Sequence, residues 1–130
     1  MPFRDKLNTS GTLATPPQAG VQPTNLGNAF SVLQSQSGAA ITNFSFSGLV
    51  RSFEASVSVI INAATPVADV FTLYGINDGT HWYLSSTSVG TDTGIAFSID
   101  DTGQVLYTSG TWPGFTSGVL YYTYSLTTPR

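Results

Sequence analysis

The stretch Ser52-Phe53-Glu54-Ala55-Ser56-Val57-Ser58-Val59-Ile60-Ile61-Asn62 alternates between polar and apolar residues up to Val59. Phe53, Ala55, Val57, Val59 and Ile61 share one parity, and Ser52, Glu54, Ser56 and Ser58 share the other. Successive side chains of an extended chain point to opposite faces, so this pattern describes a half-buried antiparallel strand that ends at Asn62, ahead of Pro66.

Similar short segments follow, separated by turn residues. Residues 70–76 run into Asn77-Asp78-Gly79, where Asp-Gly is a hairpin signal because both residues tolerate positive φ. Residues 82–89 run to Gly90, and Ile95, Phe97 and Ile99 alternate up to the turn Asp100-Asp101-Thr102-Gly103. Val105 and Tyr107 then lead into a loop with Gly110, Pro113 and Gly114. In the last segment Leu120, Tyr122, Tyr124 and Leu126 form the more apolar face and are expected to line the core, which turns Val119, Tyr121 and Thr123 outward as expected subunit-interface residues. Upstream, Phe44 and Phe46 give the first two-residue alternation. No helical period occurs, and regular short strands with Gly-rich turns predict an all-β chain, an antiparallel β-sandwich or jelly roll over residues 41–130.

Residues 1–40 read differently. Between Lys6 and Arg51 there is no charged residue, and Pro16, Pro17 and Pro23 with Gly11, Gly20 and Gly27 exclude regular structure early on. Leu7, Leu13, Val21 and Leu26 recur singly with no period, whereas disordered tails are usually rich in charge. An extended N-terminal arm that attaches to a partner is predicted, with Phe3, Leu7, Leu13, Val21 and Leu26 as its apolar anchors.

Only 8% of the 130 residues are charged, while 41% are hydrophobic. Soluble domains usually carry about 25% charge, so much of this surface is expected to be neutral polar or covered by other subunits. Four basic residues and a net charge of −3 leave no cluster with which to bind nucleic acid phosphates. Neither a signal-peptide apolar run nor a membrane-length apolar stretch is present, so a soluble protein made in the cytosol and without membrane contact is expected. The absence of cysteine removes disulfides and thiolate chemistry.

Candidate chemistry is sparse. Asp-Thr-Gly, the tripeptide of aspartic proteases, occurs at residues 92–94 and 101–103. That chemistry needs two carboxylates sharing a proton, and one short strand between the copies would hold them apart, so both are read as turns. His81 is the only histidine and is read as a surface residue at a strand entry; a metal site would require several copies meeting on an axis. Asp78, Asp100 and Asp101 lack the alternating acidic spacing of a calcium loop. No catalytic residue, metal or cofactor is expected, and the chain is not expected to be an enzyme. Trp82-Tyr83, Trp112 and Tyr121-Tyr122 must include outward-facing aromatics, which suit a subunit interface or stacking on sugar rings.

From Phe53 onward the order of features resembles the small β-sandwich domains of tailed-bacteriophage virion proteins. These include tail-fibre, needle-knob and capsid-decorating proteins with a jelly roll related to the tumour necrosis factor and C1q type. The resemblance is carried by the Phe53 to Ile61 strand, Phe71-Thr72-Leu73-Tyr74-Gly75, Trp82-Tyr83-Leu84 with Val89-Gly90, residues 103–109, Gly114-Phe115 and the Tyr-rich last strand. It implies a virion structural protein, a capsid decoration (cement) protein or a short tail fibre or knob. Such a protein would be assembled in the host cytoplasm, trimerise through its β domain and be anchored to capsid or tail proteins by its arm. The alternative is a carbohydrate-binding module that recognises a receptor glycan.

Overall fold

The computed structural model describes residues 27–128. Eight strands make up the described region: β1 (Asn28–Ser31), β2 (Ala39–Ser45), β3 (Ser52–Asn62), β4 (Val67–Asn77), β5 (Trp82–Gly90), β6 (Ala96–Ile99), β7 (Gln104–Thr108) and β8 (Ser117–Thr127). They form a five-stranded sheet in the order β1-β8-β3-β4-β5 and a three-stranded sheet in the order β2-β7-β6, with every pairing antiparallel. The chain is an all-β antiparallel sandwich, as its alternation predicts. Within the larger sheet β3, β4 and β5 form a meander and β8 returns beside β3, the strand order of a Greek key.

β3 lies at the centre of the larger sheet because it can satisfy a partner on each side, and it pairs in register with β4 and β8 along its whole length. Its predicted inward residues Phe53, Ala55, Val57, Val59 and Ile61 are all buried. Facing them across the sandwich are Ile41, Phe44, Phe46, Val105 and Tyr107. Aromatic rings fill one end of this core: Phe44 stacks on Tyr122 with centroids 4.1 Å apart, and Phe46 stacks on Phe53 at 4.0 Å. The Phe53 ring lies directly over Gly75, its cross-strand partner on β4, in the space a Cβ would occupy.

Buried hydroxyls tie the two sheets together. Tyr122 Oη donates to the Thr42 carbonyl at 2.9 Å, and Tyr107 Oη accepts from the Leu33 N–H at 3.1 Å. The register of β2 against β7 shifts between Ala40 and Ser45, where Asn43 adopts φ 67°. The Gln104 side-chain amide donates to the Ile41 and Phe44 carbonyls that this irregularity releases from the ladder, at 2.9 and 3.2 Å.

Two expectations meet a different outcome. The sandwich begins inside the segment expected to be arm: residues 28–31 are β1, paired with β8 from Tyr122 to Val119, and Val32 is buried. Of the four β8 residues expected in the core, Leu120 and Tyr122 are buried, but Tyr124 and Leu126 are half-exposed. They share the inward face, yet lie near the end of an eleven-residue strand facing a sheet of three strands, the longest of seven residues.

Candidate interaction surface

The sheet face turned away from the sandwich core can be read from the register. Its rows, from β8 across β3 and β4 to β5, are Thr127, Ser52, Ile76, Tyr83; then Ser125, Glu54, Tyr74, Ser85; then Thr123, Ser56, Thr72, Thr87; then Tyr121, Ser58, Val70, Val89. Val119, Ile60 and Ala68 make up a further row. Glu54 is the only charged strand residue on this face, because Asp69, the other charged residue in these five strands, has the inward parity; at one end of the face Asp78 accepts from the Tyr83 hydroxyl at 3.3 Å and Arg51 flanks Ile76.

Large apolar side chains form two stripes on this face. Ile76, Tyr83 and Tyr74 make one, and Tyr121, Val70, Val89 and Ile60 make the other; all are exposed. Between them runs a shallow trough of about 350 Å³ lined by Glu54, Ser56, Thr72, Thr123 and Ser125, with Tyr124 at its edge. Monomeric proteins rarely leave contiguous apolar surface beyond a few hundred Å² in water, and they usually intersperse charge.

Val119, Tyr121 and Thr123 all sit on this outer face, with Val119 opposite Ile60 and Tyr121 opposite Ser58. Tyr83, the outward member of the Trp82-Tyr83 pair, lies on the same face, and Ile60, Val70, Tyr74, Ile76 and Val89 join it there although no single segment of the sequence groups them. A signal was present: β4 is apolar at both parities, with Phe71 and Leu73 inward and Val70, Tyr74 and Ile76 outward. The arm anchors Phe3, Leu7, Leu13, Val21 and Leu26 lie outside the described residues.

The acidic residues serve turns. Asp92 Oδ1 accepts from the Gly94 N–H at 2.9 Å, closing the first Asp-Thr-Gly as a turn. Asp100 Oδ1 accepts from the Thr102 hydroxyl and from the Thr102 and Gln104 N–H groups, and these bonds, with the Thr102 hydroxyl foremost, hold its carboxyl below the usual aspartate range. Asp78 Oδ1 accepts from the Thr80 and His81 N–H groups at 2.8 Å, and its pKa is lowered by these backbone bonds, that of His81 first. Asp101 faces the exposed His81, with Nδ1 to Oδ2 at 3.0 Å. Asp69, of inward parity on β4, is buried with Oδ1 lacking a hydrogen-bond partner. Among the described residues no three His, Asp or Glu side chains converge as a metal site.

No family model matches the chain, and no curated protein matches its sequence. Among solved structures, the tailspike protein of Acinetobacter phage vB_ApiP_P1 is similar at 19% identity and a TM-score of 0.49, over 96% of this chain. The chain spans 28% of the length of that protein. A likeness at this level specifies no role.

Proposed function

We propose that this chain is a structural subunit of a bacteriophage particle, a capsid decoration protein or a short tail fibre or knob, that works by binding other subunits. The observation that carries the reading is the outer face of the five-stranded sheet, which has two exposed apolar stripes and Glu54 as its only charged strand residue. Covering that face with copies of itself removes apolar area from water at roughly 25 cal/mol per Å², which must outweigh the cost of desolvating the Glu54 carboxylate between the stripes. Three copies around an axis are the expected stoichiometry, following the virion β domains that the sequence resembles. Residues 1–26, ahead of β1, are the attachment arm in this reading. The phage assignment itself rests on the sequence resemblance, and the association on the face. Native mass measurement of the full chain tests it: a multiple of three chain masses is expected, and a monomer at micromolar concentration contradicts it.

The trough favours a second reading as a glycan-binding module, because Glu54 and the exposed Tyr74 stand side by side on that face. A carboxylate beside an aromatic ring is suited to sugar hydroxyls and sugar faces. Binding of an oligosaccharide that Tyr74→Ala abolishes would support this reading over the first.

A further inference from the structure

Four strands end the two sheets: β1 and β5 in one, β2 and β6 in the other. An edge strand exposes unpaired N–H and C=O groups, and proteins blunt such edges by shortness, irregularity, proline or charge. β1 and β6 are four residues each, and β2 is interrupted by its register shift and the positive φ of Asn43. β5 has none of these protections. It is nine residues long, contains neither proline nor a charged residue, and keeps unbroken register with β4 from Gly90 to Trp82.

The direction of its free groups follows from two hydrogen bonds. The Asn77 N–H donates to the Arg51 carbonyl at 2.9 Å, toward β3, so its neighbour Ile76 turns its backbone to β5. At the other end the Ala68 carbonyl accepts from the Thr91 N–H at 2.8 Å, on the β5 side and with the same parity as Ile76. The partners Tyr83, Ser85, Thr87 and Val89 therefore bond inward to β4. Leu84, Ser86 and Ser88 are left with N–H and C=O pointing out of the sheet, and no other described strand pairs with them.

We propose that this edge is a self-association site, at which a second copy of the chain adds its own β5 antiparallel about a two-fold axis through Ser86. Ser86 then pairs with Ser86, and Leu84 with Ser88 twice, giving about six hydrogen bonds, within the range that a whole protein interface carries. Tyr83 of each copy falls opposite Val89 of the other as a non-hydrogen-bonded pair, the kind with the closer side chains. This covers Val89, which at 80% exposure is the most exposed large apolar side chain of the described residues. The match in length, the aromatic to β-branched pairs and the lack of any charge to repel its copy select β5 itself as the occupant, since the other edges are short or irregular. The contact lies in the plane of the sheet and does not depend on what covers the outer face.

Native mass spectrometry with sedimentation of the full chain at micromolar concentration tests this. The wild type is expected as an even number of copies, six if the outer face also joins three. Ser86→Pro removes an outward N–H while sparing the β4 ladder, a position that edge strands tolerate; Ser88→Lys, exposed and of the opposite parity to the outer-face residues, places a charge at the pairing edge. Each is expected to keep the β-sheet signal and halve the assembly mass, and should Ser86→Pro fail to fold, the exposed Ser88 site decides alone. Tyr121→Asp, on the outer face, is expected to leave the two-fold contact in place. A monomeric or odd-numbered wild type, which would leave the edge for a foreign strand, overturns the proposal, as does a mass that the folded edge variants leave unchanged.

Discussion

Tyr121 and Tyr122 are consecutive on β8, yet Tyr121 is 46% exposed on the outer face while Tyr122 is 1% exposed, stacked on Phe44 and hydrogen-bonded to Thr42. The same substitution at the two positions should therefore have opposite consequences. Tyr122→Asp puts an unpaired carboxylate where a stacked ring closes the core, and a loss of about 3–5 kcal/mol, enough to unfold a typical domain, is expected from circular dichroism and melting. Tyr121→Asp is expected to melt within about 1 kcal/mol of the wild type. If it is an interface anchor, it should weaken association about 30-fold or more, the effect of a 2 kcal/mol contact.

Gly75 should be intolerant for reasons of space. Its φ is ordinary, but the Phe53 ring occupies the place of its Cβ, and that ring cannot swing away because it stacks on Phe46 at 4.0 Å. Gly75→Ala is expected to cost about 1–3 kcal/mol, measured as a lower urea midpoint with an unchanged slope. Adding Phe53→Leu, which vacates the ring position, should make the Ala substitution much less costly than it is alone.

How legible these relationships were in sequence depended on length and regularity. Phe53, Ala55, Val57, Val59 and Ile61 declare both strand and face because polar and apolar residues alternate without a break from Ser52 to Val59, with only Ile60 apolar on the outward parity after that. Asn28-Ala29-Phe30-Ser31 gives no such signal, since four residues are too few for a period, and it becomes a strand because β8 offers it a ladder. The exposure of Tyr124 and Leu126 was not legible either, because parity fixes which face a side chain takes but not how far the opposite sheet extends. The outer face was half visible. Tyr121 declares itself by standing next to another tyrosine, whereas the company of Val70, Tyr83 and Val89 depends on the pairing of β3 with β4 and of β4 with β5.

Asp100 should shape the acid limb of stability. Its folded-state pKa lies below the ordinary 3.8, so the unfolded chain binds more protons as pH falls toward that value. Its stabilising contribution is complete above 3.8 and is lost as pH drops through the folded pKa. Asp100→Asn keeps an acceptor for the Thr102 N–H but cannot titrate. Urea midpoints at pH 6 and pH 3 are expected to differ less for this variant than for the wild type, and the comparison cancels the similar contribution of Asp78, which is present in both proteins.

Removing residues 1–26 leaves β1 and its pairing with β8 intact, so the truncated chain is expected to retain cooperative melting and its β-sheet spectrum. In the proposed role it should fail to join particles while still associating with itself. Extending the deletion through residue 32 should instead destabilise the domain, because it takes away β1 and the buried Val32.

The most direct test of assembly through the outer face is the native mass of the wild type and of Tyr121→Asp, each measured at low and at high salt. Association through the apolar stripes, with Glu54 the only charged strand residue between them and no cation among those strand residues, offers screening no attractive ion pair to weaken there. The expected result is a wild-type assembly in multiples of three that persists at both salt concentrations, with the threefold component lost in folded Tyr121→Asp. A wild type that is monomeric at micromolar concentration, or that dissociates when moderate salt is added, would contradict it.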